Sequence, residues 1–157
     1  MAGIEKLYLA IVNKLRADTG AGSLVTLTTH DITVANGYKI GRWAPIVKKR
    51  SPYLGVRVRQ SVPLMGMDVT QLQITTIDFY SSAISELTSL QINDRLESLL
   101  HAGVSSPNTD YYDFSDANVS TRSSRFKSRR QSEFDEDIDV WTDIIRADII
   151  WIGQPCP

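Results

Sequence analysis

Three aspartates at alternate positions come closest to a reactive or metal-binding arrangement in this chain. Asp135, Asp137 and Asp139 match the opening positions of a calcium-binding loop. Such a loop also needs glycine at its sixth position and glutamate at its twelfth, where this chain has Val140 and Arg146. The pattern therefore favours a solvated acidic edge. Weak binding of a hard cation, in a small metal-dependent hydrolase, is kept as an alternative.

Other catalytic chemistries lack the residues they need. The only histidines are His30 and His101, and neither is accompanied by a serine between glycines or by a reactive cysteine. Residues 20–22 (Gly-Ala-Gly) lack the third glycine of a dinucleotide-binding loop and any following Gly-Lys-Ser/Thr. We therefore predict a non-enzymatic protein with no catalytic residue, no bound cofactor and no metal site.

Two adjacent blocks of opposite charge are the strongest electrostatic feature. Between Arg122 and Arg130 the chain carries 5 cations and no acid, and between Glu133 and Asp139 it carries 5 acids. The basic block could contact DNA phosphates or the acidic block of a neighbouring copy, or the whole region could be a flexible charged loop without a role. The candidate subunit or DNA contacts, including a second basic patch, are Lys48, Lys49, Arg50, Arg122, Arg125, Lys127, Arg129, Arg130, Glu133, Asp135, Asp137 and Asp139.

The overall composition limits the class of protein. A chain of 157 residues suits a single domain over 1–157, and the net charge of -1 argues against a dedicated nucleic-acid binder. The lone Cys156 excludes an intrachain disulfide and a cysteine-based zinc site, and suits a reducing cytosol. The N-terminus does not resemble a signal peptide, and no run of apolar residues is long enough to span a membrane. We expect a soluble protein, made in the cytoplasm, with no membrane partner.

The elements that must position these residues follow from hydrophobic spacing. Apolar residues three and four apart predict two amphipathic helices, over 4–16 and 81–101, the second with Ile84 and Leu87 on its apolar face. A helix can bury its apolar face only against another element. The helices therefore require a sheet to pack on.

Alternating and β-branched stretches predict the strands of that sheet. Residues 53–60 and 69–80 predict an antiparallel pair joined by a wide turn, and 140–152 predicts a strand buried on both faces. Residues 24–29 and 31–40 predict less regular strands.

The expected fold class is α+β. It consists of a mostly antiparallel sheet of about four to five strands packed with two amphipathic helices. Residues 42–52 predict a loop because of their prolines and consecutive cations, and 104–139 predicts a long charged loop or extended arm.

The order of these features resembles the tail-terminator, or tail-completion, proteins of long-tailed bacteriophages. The similarity covers most of the chain and rests on element order and weak patterns. The matching segments are Ile4-Glu5-Lys6-Leu7-Tyr8, Pro52-Tyr53-Leu54-Gly55-Val56-Arg57-Val58, Leu72-Gln73-Ile74-Thr75-Thr76-Ile77-Asp78-Phe79-Tyr80-Ser81 with the helix after it, Trp141, and Asp148-Ile149-Ile150-Trp151.

The resemblance implies a virion protein of the tail or neck, assembled in the host cytoplasm. Members of this family form hexameric rings that cap the tail tube, stop its polymerisation and join it to the filled head. The implied partners are other copies of the chain, the tail tube protein, head–tail connector proteins and DNA passing through the ring. A head-side connector is the alternative within the same class. The 104–139 region is longer and more charged than the family leads us to expect, and we interpret it as an arm that clasps an adjacent protein.

Overall fold

A computed structural model of the chain describes residues 3–29, 33, 37, 39–65, 72–100 and 114–153. Residues His30, His101 and Cys156 lie outside this described part, as do 66–71 and 101–113, which include most of the expected turn and the first part of the expected arm. The helices are α1 (Ile4–Arg16), α2 (Leu24–Leu27) and α3 (Glu86–Leu100), with a 3-10 helix at Lys48–Arg50.

The strands form one sheet of mixed direction. Strand β1 runs parallel to β2, and all other neighbours in the order β1-β2-β3-β5-β4 are antiparallel. This mostly antiparallel sheet with packed helices confirms the expected α+β class. The strands are β1 (Ile40–Arg42), β2 (Tyr53–Met65), β3 (Leu72–Ala83), β4 (Val119–Asp135) and β5 (Val140–Gly153).

The core lies between the helices and one face of the sheet. Helix α1 buries Leu7 and Ile11, and α3 buries Ile92 and Leu96, against a sheet face that includes Trp151. Each large apolar side chain removed from water contributes on the order of 1.5–3 kcal/mol to stability. The predictions of α1 and of the β2–β3 pair are confirmed. Among the described residues, no helix is long and apolar enough to cross a membrane.

Strand β5 is buried on one face rather than on both. Its residues Ile145 and Ile149 lie in the core, whereas Ile144 and Ile150 on the opposite side are only half-buried. We call this second side, which the helices do not cover, the open face. The apolar run of β5 therefore reflects the position of this strand in the interior of the sheet. It does not mean that both faces of the strand are covered.

Three local expectations are wrong. Residues 24–27 form α2 and not a strand, because the Ser23 hydroxyl accepts a hydrogen bond from the Thr26 amide (3.2 Å) and caps the turn. Helix α3 begins at Glu86, and the preceding residues 81–83 continue β3. As a result Ile84 and Leu87 are exposed, by 54% and 63%, and do not face the core.

In its described part, residues 114–139, the expected charged loop is largely a strand. Residues 119–135 form β4, which pairs along nearly the whole length of β5, and only 136–139 form the turn between them. The sequence hides this strand because its register shifts at three places, between Thr121 and Ser123, Phe126 and Ser128, and Arg130 and Glu133. Each shift moves the alternation of inward and outward side chains by one position.

Candidate interaction surfaces of the charged hairpin

The basic block lies on an edge strand. Strand β4 is the last strand of the sheet, and its side chains Arg122, Arg125, Lys127 and Arg130 are exposed. A long edge strand presents unpaired backbone groups to other chains, and cations and bulges are the usual features that prevent uncontrolled pairing there. The edge position thus gives these four cations a structural role alongside any role in binding.

Arg129 differs from the rest of the basic block because it points toward α3. Its Nη1 lies 2.6 Å from an Asp94 carboxylate oxygen and 3.1 Å from one of Glu97, and its Nε lies 3.2 Å from Asp143. The side chain is 20% exposed. Three carboxylates therefore engage this cation within the chain, and it ties α3 to the β4–β5 hairpin.

A buried polar cluster surrounds Asp143, one of the three carboxylates that engage Arg129. Asp143 is fully buried and sits opposite Ser81 on the neighbouring strand, while the Asn93 amide of α3 donates to the Ser81 hydroxyl (2.5 Å). Burial raises the pKa of Asp143, and the charge and hydrogen bond of Arg129 partly oppose this effect. Sequence reasoning did not identify this cluster, because its members come from separate elements and carry no motif.

The open face of the sheet carries an excess of positive charge. Asp78 lies opposite both Arg57 and Arg146 and accepts from the Arg146 Nε at 2.8 Å, and Asp148 pairs with Lys127 at 3.4 Å. Six cations and three acids of the described residues line this face, which gives 6 − 3 = +3. The cations are Arg57, Arg59, Arg125, Lys127, Arg130 and Arg146, and the acids are Asp78, Glu133 and Asp148.

A loop folds over one end of the open face and encloses a small cavity. The Tyr80 hydroxyl donates to the Ala44 carbonyl (3.0 Å), and burial raises the pKa of Tyr80 to about 12. Gly55 lies opposite Tyr80 in the register and leaves room for its ring. We call the resulting cavity of about 130 Å³ the loop–sheet pocket. Its lining residues are Trp43, Ile46, Arg57, Arg59, Asp78, Tyr80, Arg130, Thr142 and Ile144.

The acidic block forms the far end of the β4–β5 hairpin. Asp135 caps the turn by accepting from the Asp137 amide at 3.0 Å, and Asp139 adopts a positive φ of 52°. The end residues 133–137 and 139 are all exposed. In the part of the chain that the structure describes, no three histidine, cysteine or acidic side chains come together to hold a metal ion.

The smaller basic patch lies beside this acidic turn. The Lys48 ammonium approaches the Asp139 carboxylate at 3.7 Å, and both side chains are more than half exposed. Arg50 donates to the Pro45 carbonyl at 2.6 Å, which supports the loop that covers the pocket. Lys49 is exposed. The structure therefore brings Lys48 and the acidic block together, a proximity that sequence reasoning missed because 91 residues separate Lys48 from Asp139.

Comparisons with known proteins give a similarity of structure but none of sequence. No protein-family model matches the sequence, and no curated protein matches it. A solved structure described as "Virion of native gene transfer agent (GTA) particle" contains a chain with a similar fold. The match covers 94% of this chain and 95% of that chain, with a TM-score of 0.59 and 12% sequence identity. At this identity the similarity shows a shared fold.

Proposed function

We propose that this chain is a structural, non-enzymatic subunit of a phage-derived virion. In this role, copies of the chain form a ring that ends the tail tube and joins it to the head. The observation that carries the proposal is the end-to-end similarity to a chain of a gene transfer agent virion, with 94% and 95% of the two chains aligned. Because neither chain has a large unmatched part, the similarity concerns the whole architecture and not a common substructure.

The distribution of charge supports assembly from identical subunits. The open face is positive and the hairpin end is negative, and the two surfaces adjoin at the loop that carries Lys48. Complementary but different surfaces on one chain produce head-to-tail contacts, which close into a ring when the rotation between subunits permits. The hexamer, the tail tube protein, the head–tail connectors and the virion location, after assembly in the host cytoplasm, come from the family resemblance.

The four exposed cations of β4 are the part of the basic block that reaches solvent, and two of them, Lys127 and Arg130, also pair within the chain with Asp148 (3.4 Å) and Glu133 (3.6 Å). Arg122, Arg125, Lys127 and Arg130 extend along the sheet edge, where they could face a neighbouring subunit or DNA in the lumen of the ring. Arg129 is left out of this set because it holds α3 in place.

A head-side connector is the second candidate. The same comparison supports it equally, because the matched chain belongs to a structure described only as a whole virion particle. Adding purified tail tubes and purified heads separately to the labelled protein distinguishes the two positions. A tail terminator binds tube ends in the absence of heads, and a head-side connector binds heads in the absence of tubes.

Charge reversal of the exposed cations tests their part in assembly. We expect Arg125→Glu, Lys127→Glu and Arg130→Glu together to reduce ring formation on tail tubes while the thermal midpoint stays within a few degrees of the wild type. Reversal of the exposed Lys39, which lies just before β1 at the other side of the sheet, is the matched control. If the triple variant forms rings as well as the wild type does, these cations are not assembly contacts. Their role would then be to prevent uncontrolled pairing of the edge strand with other chains.

A further inference from the structure

We propose that the loop–sheet pocket binds the acidic hairpin end of a second copy of this chain. The hairpin end is the segment 135–139, and the binding residues of the pocket are Arg57, Arg59 and Arg130. This inference rests on the proposed function and specifies the contact between subunits that the function requires.

The pocket combines cations with apolar walls. The Arg57 guanidinium lies over the Trp43 ring, 5.6 Å from its centroid, and so keeps its hydrogen-bond donors available at the rim. Arg59 lies 3.5 Å from Asp78, but that carboxylate is already engaged by Arg146 at 2.8 Å. Arg130 also lies 3.6 Å from Glu133. Arg57, Arg59, Arg130 and Arg146 together still exceed the two nearby acids, Asp78 and Glu133, and this excess of positive charge favours an anionic ligand.

The shape of the pocket favours an acidic peptide segment over a nucleic acid. Its volume of about 130 Å³ is closed on one side by the loop that carries Trp43 and Ile46, so it admits one or two side chains and not a duplex. The carboxylate of Asp78 lies within the pocket lining and would repel a continuous row of phosphates. Carboxylates on a narrow turn can instead pair singly with the rim arginines.

The hairpin end has the matching chemistry and lies beside the loop that covers its own pocket, where Lys48 approaches Asp139 at 3.7 Å. Glu136 and Asp137 are exposed at the turn, and no ion pair within the described residues uses either side chain. Asp135 pairs with Val140 on β5, two residues before Thr142 of the pocket lining. The Asp137 amide donates to the Asp135 carboxylate at 3.0 Å and shapes the turn that presents these acids.

Within the described chain neither Glu136 nor Asp137 pairs with a rim arginine, so both carboxylates are available to a second copy. Each copy provides one hairpin end and one pocket, which is the head-to-tail arrangement that generates rings. Lys48 lies 3.7 Å from Asp139 of the same copy. It would then lie at the edge of the contact and hold the turn in its orientation.

A charge-exchange experiment tests this contact. The first variant carries Arg57→Glu and Arg130→Glu, the second carries Glu136→Lys and Asp137→Lys, and the third carries all four changes. All four positions are exposed or line an open pocket, and circular dichroism checks that each variant folds. The readout is the protein concentration at which half of the purified tail tubes carry a ring, counted by electron microscopy.

We expect each double variant to require a roughly tenfold or higher concentration than the wild type, because like charges then face each other across the contact. The fourfold variant restores opposite charges and should regain most of the lost affinity. Two variants, Lys39→Glu and Glu5→Lys, change exposed charges outside the contact and should behave like the wild type.

The outcomes separate the inference from the function on which it rests. If the wild type forms no ring on tubes or heads, the proposed function is wrong. If the wild type forms rings and the double variants do so equally well, the pocket contact is wrong and the function stands. If the double variants fail and the fourfold variant fails equally, the occupant of the pocket is not a second copy. Binding of a labelled DNA duplex by the wild type but not by the Arg57→Glu and Arg130→Glu variant would then identify a nucleic acid as the occupant.

Discussion

Replacing Arg129 by methionine should destabilise the fold, since it leaves a buried carboxylate without its partner. Asp143 is fully buried, and its Oδ2 accepts hydrogen bonds from Arg129 (3.2 Å) and Ser132 (3.3 Å). Removing one partner of a buried ion pair costs about 3–5 kcal/mol. The other contacts of Arg129, to Asp94 and Glu97, lie nearer the solvent and contribute about 0–1 kcal/mol each.

The magnitude is large enough to measure by urea denaturation followed by circular dichroism. A domain of this size has a total stability of about 5–15 kcal/mol, so a loss of about 3–5 kcal/mol in Arg129→Met should remove roughly a fifth or more of it. The midpoint of thermal unfolding should fall by about 6–20 °C. The matched control is Asp94→Asn, which breaks a more exposed pair on the same guanidinium and should cost about 1 kcal/mol or less.

The pH dependence gives a second signature of the same pair. Burial raises the pKa of Asp143, and Arg129 opposes that rise. A carboxyl with a raised folded-state pKa binds more protons in the folded state, so its contribution to stability improves as pH falls through that pKa. Without Arg129 the pKa rises further. The difference in the free energy of unfolding between the wild type and Arg129→Met should therefore be greatest at neutral pH. It should become smaller as the solution is acidified.

A double variant tests whether the cost comes from the unpaired charge. Arg129→Met with Asp143→Leu removes both charges, and replacing a buried pair by apolar residues is often close to neutral. We expect the double variant to be more stable than Arg129→Met alone. A single variant that loses less than about 1 kcal/mol, or a double variant that is less stable than the single one, would refute the reasoning.

Further predictions concern the loop over the open face and the junction of the helices. Gly55→Ala should cost about 1–3 kcal/mol, since a Cβ there would overlap the Tyr80 ring, whereas Gly41→Ala meets only ordinary contacts; urea denaturation of both variants checks this. Asp18→Asn should cost about 1.5–3 kcal/mol, because the carboxylate accepts two hydrogen bonds from Arg95. Burial alone would raise the pKa of Asp18, but the hydrogen bonds that its carboxylate accepts lower this pKa overall. The stability of the wild type should therefore fall as the pH drops below about 4, where this carboxylate takes up a proton on unfolding. This loss of stability in acid should be smaller in Asp18→Asn, which has no carboxylate at this position.

Sequence patterns predicted the elements whose apolar residues follow one period. Four elements have such a pattern: helix α1 and strands β2, β3 and β5. Most of their predicted ends lie within a few residues of the ends in the structure. Strand β4 was missed because its inward-facing side chains include Thr121, Ser124 and Arg129, which are polar, and because three bulges interrupt its alternation. Its pairing with β5, and not its own composition, makes it a strand.

The candidate surfaces could be predicted only as lists of charges. The sequence indicates that the basic and acidic blocks are adjacent, but it does not indicate which cations remain exposed. Arg129 and Arg130 are neighbours in the chain. Arg129 pairs with a carboxylate of α3, whereas Arg130 lines the loop–sheet pocket on the open face. That division depends on the direction of each side chain from β4 and on the position of α3, which are properties of the tertiary structure.

The most direct test of the central claim is the mass of the protein bound to purified tail tubes, determined by mass photometry and electron microscopy over a range of protein concentrations. A ring subunit should give closed rings of one fixed copy number, six according to the family resemblance, at the ends of tubes that then stop growing. A protein that stays monomeric at all concentrations and leaves both tubes and heads unbound would contradict the proposed role.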